Sequence, residues 1–267
     1  MTRIARSLLF VPGNRPERFA KAAASGAHEV VIDLEDAVAP DDKSLARDAV
    51  MEWLSTARGN VMVRVNGADT PWFVKDLEMM SALPDVPIML PKADRENVQE
   101  LVLNLEGRSI VALIETTRGV KELPQIAAVS EVNRLAFGSV DFSVETGISD
   151  TGEAMTSIRN QFVLESCYAG LIPPVDGVDL EIEDAGGMRD ASLRSKTLGF
   201  GGKLCIHPRQ VAAVNAAFLP SDTEIDWAER VIAAMEKSQG GATSVDGKMV
   251  DKPVVVKAER ILAESRP

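Results

Sequence analysis

The chain has 267 residues, 45% of them apolar and 4% aromatic, with a formal net charge of −11. So much apolar sequence builds a sizeable core, which excludes intrinsic disorder, and the length suits one large α/β domain. The acidic balance repels nucleic acid and anionic lipid, so neither is expected as a partner, and an anionic substrate needs local positive charge in its site.

In chain order, "MTRIARSLLFVPGN" offers four consecutive apolar residues before Pro12 and Gly13. That is too short for a signal peptide or a membrane span, and a cytoplasmic protein is expected. Cys167 and Cys205 show no ligand spacing and read as reduced, structural thiols. Runs rich in strand formers fall at 7–13 (SLLFVPG), 29–36 (EVVIDLED), 60–67 (NVMVRVNG) and 87–93 (PIMLPKA). Further runs are 109–116 (SIVALIET), 134–142 (RLAFGSVDF), 176–182 (DGVDLEI) and 202–208 (GKLCIHP). Between them lie stretches with helical spacing, such as "RPERFAKAAASG" and "DRENVQELVLNLEG", each closing on a glycine suited to a helix end.

Eight strands, each followed by a helix, predict a closed parallel (β/α)8 TIM barrel, with an open doubly wound sheet as the alternative. The dinucleotide-binding version of that alternative is excluded, because no G-x-G-x-x-G follows the first strand. After "DTEIDWAERVIAAMEKS" the composition turns rich in Gly, Ser and Thr at 239–248, which reads as a linker. The segment beyond reads as a turn and a final helix. The expected organisation is a catalytic barrel over 1–238 and a linker with a C-terminal helical lid or arm over 239–267.

Active sites of such barrels lie at the carboxyl ends of the strands. The polar residues there are Asp33, Glu35 and Asp36 after strand two, Arg64 in strand three, Lys92, Glu115, Asp141 and His207. The second run is the odd one, since Val30–Val31–Ile32 reads as a buried strand yet empties into carboxylates, which are costly to bury unpaired. Strand alternation puts Val111, Leu113 and Glu115 on one face, and Leu135, Phe137 and Asp141 on one face of the next run. If both faces line the interior, Glu115 and Asp141 converge at its mouth, where a hard cation such as Mg²⁺ relieves their repulsion. Either acid alternatively caps the following helix. Arg64 fits an internal ion pair with Asp33 or Glu35, or a clamp on a substrate anion. Lys92 as an imine-forming amine is disfavoured, because neighbouring acids keep it protonated. His207 reads as a packing or supporting histidine, and His28 as a surface residue at the opposite end. Arg15, Arg18 and Lys21 form either a phosphate-binding patch or a solvated helix face.

Taken together, "RSLLFVPGNRPERFAKAAASGAHEVVIDLEDAVAPDDK", "VRVNG", "LPKA", "IETTRGV", "FGSVDF", "CIHPRQ" and "DGKMVDKPVVVKAERIL" resemble the citrate lyase β-subunit-like proteins. These belong to the HpcH/HpaI aldolase and malyl-CoA lyase group. The resemblance implies a carbon–carbon lyase. It would cleave a 3-hydroxy-3-carboxyacyl-CoA such as citramalyl-, citryl- or malyl-CoA to acetyl-CoA and a 2-oxo acid, oxaloacetate or pyruvate among them, or run the reverse condensation. On the matching positions, Glu115 and Asp141 hold Mg²⁺, and Arg64 and Glu115 contact substrate. Asp251, otherwise a good helix N-cap before Lys-Pro, becomes the proton donor delivered by the lid. Glu35, with Asp33 and Asp36, orients Arg64 without ligating the ion. A homo-oligomer, trimer or hexamer, is implied too. Many relatives carry Ala-Glu before the second metal acid, where this chain has Ser139-Val140, so one supporting acid is missing. The rival expectations are a class II aldolase acting on free 2-oxo acids without CoA, and a carrier-dependent subunit that needs a partner.

Overall fold

The structure, a computed structural model, describes residues 4–56, 59–238 and 243–265. Val30, Val31 and Ile32 are all buried, as a strand covered on both faces requires. The elements begin β1 (Ser7–Pro12), α1 (Phe19–Ala23), β2 (Glu29–Asp33), α2 (Lys43–Thr56), β3 (Val61–Arg64) and α3 (Phe73–Ser81). They continue with β4 (Ile88–Leu90), α4 (Arg95–Asn104), β5 (Ile110–Ile114), α5 (Thr117–Lys121), α6 (Leu123–Ala127) and β6 (Val132–Phe137). The barrel elements end with α7 (Ser139–Thr146), α8 (Thr156–Tyr168), β7 (Ile172–Asp176), α9 (Ala185–Leu198), β8 (Gly202–Cys205) and α10 (Pro208–Phe218). The strands close in sequence order into a parallel barrel, with β8 pairing back onto β1.

The inward-facing side chains below the mouth are apolar: Leu8, Val31, Met62, Met89, Val111, Leu113, Ala136, Val175 and Leu204 pack together. Because strand side chains alternate, the next inward positions toward the carboxyl ends are Phe10, Asp33, Arg64, Glu115 and Gly138. The core therefore sets which residues reach the mouth.

Two expectations about strands are corrected here. The seventh strand is Ile172–Asp176, not 176–182, so Asp176 ends a strand instead of beginning one. Pro173 and Pro174 lack N–H donors, which disfavours a strand inside a sheet. The strand accommodates them by an irregular register, pairing Ile172 with Arg134 and Val175 with Ala136. In β6 the inward residue is Ala136, whereas Phe137 points outward against Phe142 (ring centroids 5.6 Å apart) and Phe162 (4.8 Å). Asp141 thus does not share a strand face with Leu135 and Phe137. The strand ends at Phe137, and Asp141 sits in the first turn of α7.

The chain divides into two compact units, 1–216 and 217–267. In the second, α11 (Asp222–Lys237) packs with α12 (Lys252–Ser265) through Ala228, Val231, Val250 and Ala258. Helix α11, grouped with the barrel by composition, therefore belongs with α12 because the two share an apolar seam. The region read as a linker also differs. Residues 239–242 lie outside the described residues, but β9 (Thr243–Val245) and β10 (Lys248–Val250) form an antiparallel hairpin. Asp246 (φ 53°) and Gly247 (φ 74°) supply its tight turn, which needs two left-handed residues. Among the described residues no helix is long and apolar enough to cross a membrane.

Candidate active site at the carboxyl end of the barrel

Asp33, the last residue of β2, is fully enclosed and accepts N–H bonds from Glu35 (2.8 Å) and Ala37 (3.0 Å). Those bonds fold the chain back on itself after the strand. Gly13 permits the fold, donating its N–H to the Asp33 carbonyl at 2.8 Å where any Cβ would collide. The ammonium of buried Lys43 ties the turn down by donating to the carbonyls of Leu34 (2.6 Å) and Glu35 (2.7 Å), and it lies 5.0 Å from the centre of the Trp72 ring. No motif in the sequence marks this lysine's part.

Arg64, at the end of β3, is 9% exposed. Asp33 receives its Nε and Nη2 in a bidentate pair, both at 2.7 Å. Nη1 lies 2.9 Å from Glu35 Oε2 and 3.6 Å from Asp36 Oδ2, and the Phe10 ring covers one face at 4.8 Å. The Glu35 contact is close but poorly aligned, so Oε2 makes no hydrogen bond. Burial works against the guanidinium charge, but Asp33, with Glu35 and Asp36, outweighs it and holds Arg64 firmly protonated. The carboxylates that end strand two are therefore delivered to this arginine. Support continues outward, where Asp76 accepts from Asn66 N (2.7 Å), Asn66 Nδ2 (2.6 Å) and Arg47 (3.1 Å).

Glu115 follows β5 and is 3% exposed. Its Oε1 accepts the Lys92 N–H at 2.7 Å. Its other flank rests on Gly138, where a Cβ would come within 2.5 Å of Glu115 Cβ and 2.6 Å of Oε2. Glycine at 138 is thus a space requirement, since that inward position belongs to the Glu115 carboxyl. Burial pushes Glu115 up to about 7, partly countered by Arg64 and the Lys92 N–H and reinforced by Asp141 and Asp36. Burial likewise drives Glu35 up to about 8; Arg64 opposes this, and Glu115, Asp36 and Asp33 add to it. The influence of Asp141 on Glu115 places both acids in one electrostatic neighbourhood, with Asp141 exposed and Glu115 enclosed.

Lys92 stands at the exit of β4 with a left-handed backbone, φ 46°. Burial tends to lower its ammonium's pKa, but Glu35, Asp69, Asp36 and Glu115 prevail and raise it, which removes the neutral amine that imine chemistry needs. His207 works locally: its Nδ1 accepts the Arg209 N–H at 3.2 Å at the start of α10. His28 is half-buried and lies 3.3 Å from Ser7 Oγ. Arg15 and Arg18 are exposed and share Glu17 at 3.9 and 3.8 Å. Asp251, in the second unit, is exposed and caps α12, its Oδ1 accepting the Val254 N–H at 3.3 Å. The buried thiol of Cys205 is pushed by burial up to about 12, while Cys167 is exposed.

Arg64, Glu35 and Glu115 are thus brought together with Lys92 in one acid-rich mouth, and Asp141 acts on it from α7. Reading the sequence missed Gly138, Lys43 and the role of the Lys92 backbone. A Gly at the inward position one strand over from a candidate ligand was the available signal for the first.

The profile of the HpcH/HpaI aldolase/citrate lyase family matches residues 6–208. The chain is 36% identical over 300 residues to the L-malyl-CoA/beta-methylmalyl-CoA lyase of Cereibacter sphaeroides (strain ATCC 17025), covering 97% of this chain and 94% of that protein. It is also 36% identical over 261 residues to the citrate lyase subunit beta-like protein of Mycobacterium tuberculosis (strain CDC 1551), at 95% and 93% coverage. The crystal structure of CitE from M. tuberculosis in complex with magnesium, acetoacetate and coenzyme A superposes with a TM-score of 0.86. It shares 34% identity and covers 98% of each chain. The acid-lined mouth of this barrel is thus the mouth of a chain that belongs to the HpcH/HpaI aldolase/citrate lyase family.

Proposed function

We propose that this chain is a magnesium-dependent carbon–carbon lyase acting on a CoA thioester. It cleaves a 3-hydroxy-3-carboxyacyl-CoA of the malyl-, citramalyl- or citryl-CoA type to acetyl-CoA and a 2-oxo acid, or joins them in reverse. The observation that carries this reading is Glu115, an enclosed carboxyl whose charge burial disfavours and the nearby Asp141 opposes. Such a pair fits a hard divalent cation, for which one or two carboxylates with substrate and water complete the shell. Among the described residues no group of three or more His, Cys, Asp or Glu is placed to hold a metal ion, so substrate and water oxygens would have to complete the shell. Glu115 and Asp141 would hold the ion, which when bound supplies Lewis acidity and a fixed charge for the oxygens of the 2-hydroxy acid.

The protein's own groups do the rest. Arg64, oriented bidentately by Asp33, keeps its charge where the thioester oxygen becomes negative as the bond breaks. A preorganised cation at that point contributes roughly 3 kcal/mol. Glu35 braces the second edge of the guanidinium. Asp251 protonates the acetyl carbon, or deprotonates acetyl-CoA in the reverse direction. Its carboxylate is exposed at the head of α12, from which another copy of the chain would take it in a homo-oligomer, and the proposed compartment is the cytoplasm.

The test is steady-state turnover of malyl-, citramalyl- and citryl-CoA with Mg²⁺, on wild type and Asp251→Asn. Unaided cleavage of at least one thioester by wild type, lost on chelation and lost in the variant, supports the reading. No cleavage of any thioester, alongside cleavage of free 2-oxo-acid aldols, sinks it.

A further inference from the structure

Every guanidinium nitrogen of Arg64 already has a carboxylate partner, Nε and Nη2 on Asp33 and Nη1 on Glu35 and Asp36. The mouth also contains Glu115, with Asp141 beside it, so its acids outweigh the arginine. The donors that Arg64 keeps beyond its pair with Asp33 are assigned above to the thioester oxygen, so a substrate carboxylate arriving there needs a second cation. Lys92 fits this description. Its side chain is 44% exposed, and among the described residues its ion-pair contact is Nζ to Glu35 Oε1 at 3.7 Å, too long for a hydrogen bond.

The backbone at Lys92 shows why the side chain is there. A residue with a Cβ rarely adopts φ 46°, and such conformations persist where the surroundings impose them, often at ligand-binding sites. Three contacts impose it here. The Lys92 N–H donates to Glu115 Oε1 at 2.7 Å, its carbonyl accepts from Asn97 Nδ2 at 3.2 Å, and the next N–H, that of Ala93, donates to the Leu113 carbonyl at 3.0 Å. The kink thus anchors the main chain on Glu115 while the side chain reaches Glu35. Residue 92 touches both sides of the mouth, its main-chain N–H on the candidate cation ligand and its ammonium beside the partner of Arg64.

We propose that Lys92 is the substrate-binding residue that receives the carboxylate of the 2-oxo acid half, presented by its left-handed turn. The assignment rests on the lyase reading above. The carboxylate, not a CoA phosphate, is the anion in question, because the ammonium lies beside Glu35 and its own main chain holds Glu115, at the chemical centre.

Calorimetric titrations of wild type, Lys92→Gln, Lys92→Gly and Lys92→Arg test it, with Mn²⁺ alone, with CoA, and with glyoxylate, pyruvate or oxaloacetate in the presence of Mg²⁺. Glycine accepts the left-handed turn, so it separates loss of the ammonium from relaxation of the backbone. Loss of a charge-assisted hydrogen bond predicts about tenfold weaker 2-oxo acid binding in the Gln and Gly variants. Mn²⁺ and CoA affinities should stay within about twofold, and Arg should restore most of the 2-oxo acid affinity. Unchanged 2-oxo acid affinity in Gln and Gly overturns the assignment. So does a loss confined to CoA, or an equal loss of Mn²⁺ affinity in Gly, which would make position 92 only a brace for Glu115. A wild type that binds no 2-oxo acid with Mg²⁺ sinks the lyase reading itself, and the assignment with it.

Discussion

Two buried Asp–Arg pairs sit on opposite sides of the same barrel wall. At the mouth, Asp33 holds Arg64; behind β7, Asp176 takes Arg159 Nε at 2.9 and 3.1 Å. The second pair is balanced. Asp176 also accepts Ser195 Oγ at 2.5 Å and the Gly177 N–H at 2.9 Å, and Lys203 donates to the Gly177 carbonyl at 2.7 Å. Burial alone would raise the Asp176 carboxyl, yet Lys203 and Arg159 bring it below the usual range. The first pair is surrounded by surplus acid, and two of those acids, Glu35 and Glu115, are pushed up to about 8 and about 7. A balanced buried pair cements structure. An unbalanced one holds electrostatic strain that a ligand can relieve, and such perturbed groups mark functional sites.

The sharpest way to break the contrast is to remove one acid from each side. Glu115→Gln should lower Mg²⁺-dependent turnover by roughly 1,000-fold, several kcal/mol of transition-state stabilisation, without lowering the unfolding midpoint at pH 8 in chelator. Asp176→Asn should do the opposite, costing about 3–5 kcal/mol in urea unfolding because Arg159 is left buried without its counter-charge. Equal stability losses in the two variants would erase the distinction.

Titration separates the sides next. Glu35 and Glu115 have folded pKa values raised above the unfolded value, so folding takes up protons between about pH 4.5 and 8. Their contribution is fully present below the unfolded pKa and is lost as pH rises through the folded ones. The slope is at most about 1.4 kcal/mol per pH unit per group. Asp176, lowered in the fold, contributes above its unfolded pKa and loses that contribution as pH falls. Metal-free wild type should therefore lose stability from pH 5 to pH 8, and Glu35→Gln should flatten the curve. Thermal melts across that range read the sign.

A smaller effect tests the space behind Glu115. Gly138→Ala forces a Cβ into the Glu115 carboxyl, and about a tenfold loss of Mg²⁺ affinity is expected if that carboxyl is the proposed ligand. Mn²⁺ titration of a variant with a native circular dichroism spectrum measures it. The smallest effect lies in the second unit, where Asp251→Ala should cost about 1 kcal/mol as a lost N-cap and Asp251→Asn almost none. Comparing their melts with their turnover separates cap from catalyst.

Much of the site was readable along the chain because strand periodicity carries it. Val111, Leu113 and Glu115 alternate inward as their spacing says, and the acids after Ile32 do find Arg64. Where a strand ended, that logic failed. Asp141 was assigned a strand face, but the chain turns helical at Ser139, and rotation per residue there is no longer two-fold. Ile172–Asp176 was overlooked because its prolines violate local propensity, which pairing with β6 and β8 overrides.

Strand count favoured the closed barrel over an open sheet, and the acids at the strand ends and the family were legible too, because apolar alternation and motif order are local properties of the chain. Long-range packing settled the rest: that Asp33 takes Arg64 bidentately, that Gly138 makes room for Glu115, and that Asp176 is cemented to Arg159. Each of those depends on burial and on distances between groups far apart in the chain. The energy of a buried charge is set by what surrounds it in space.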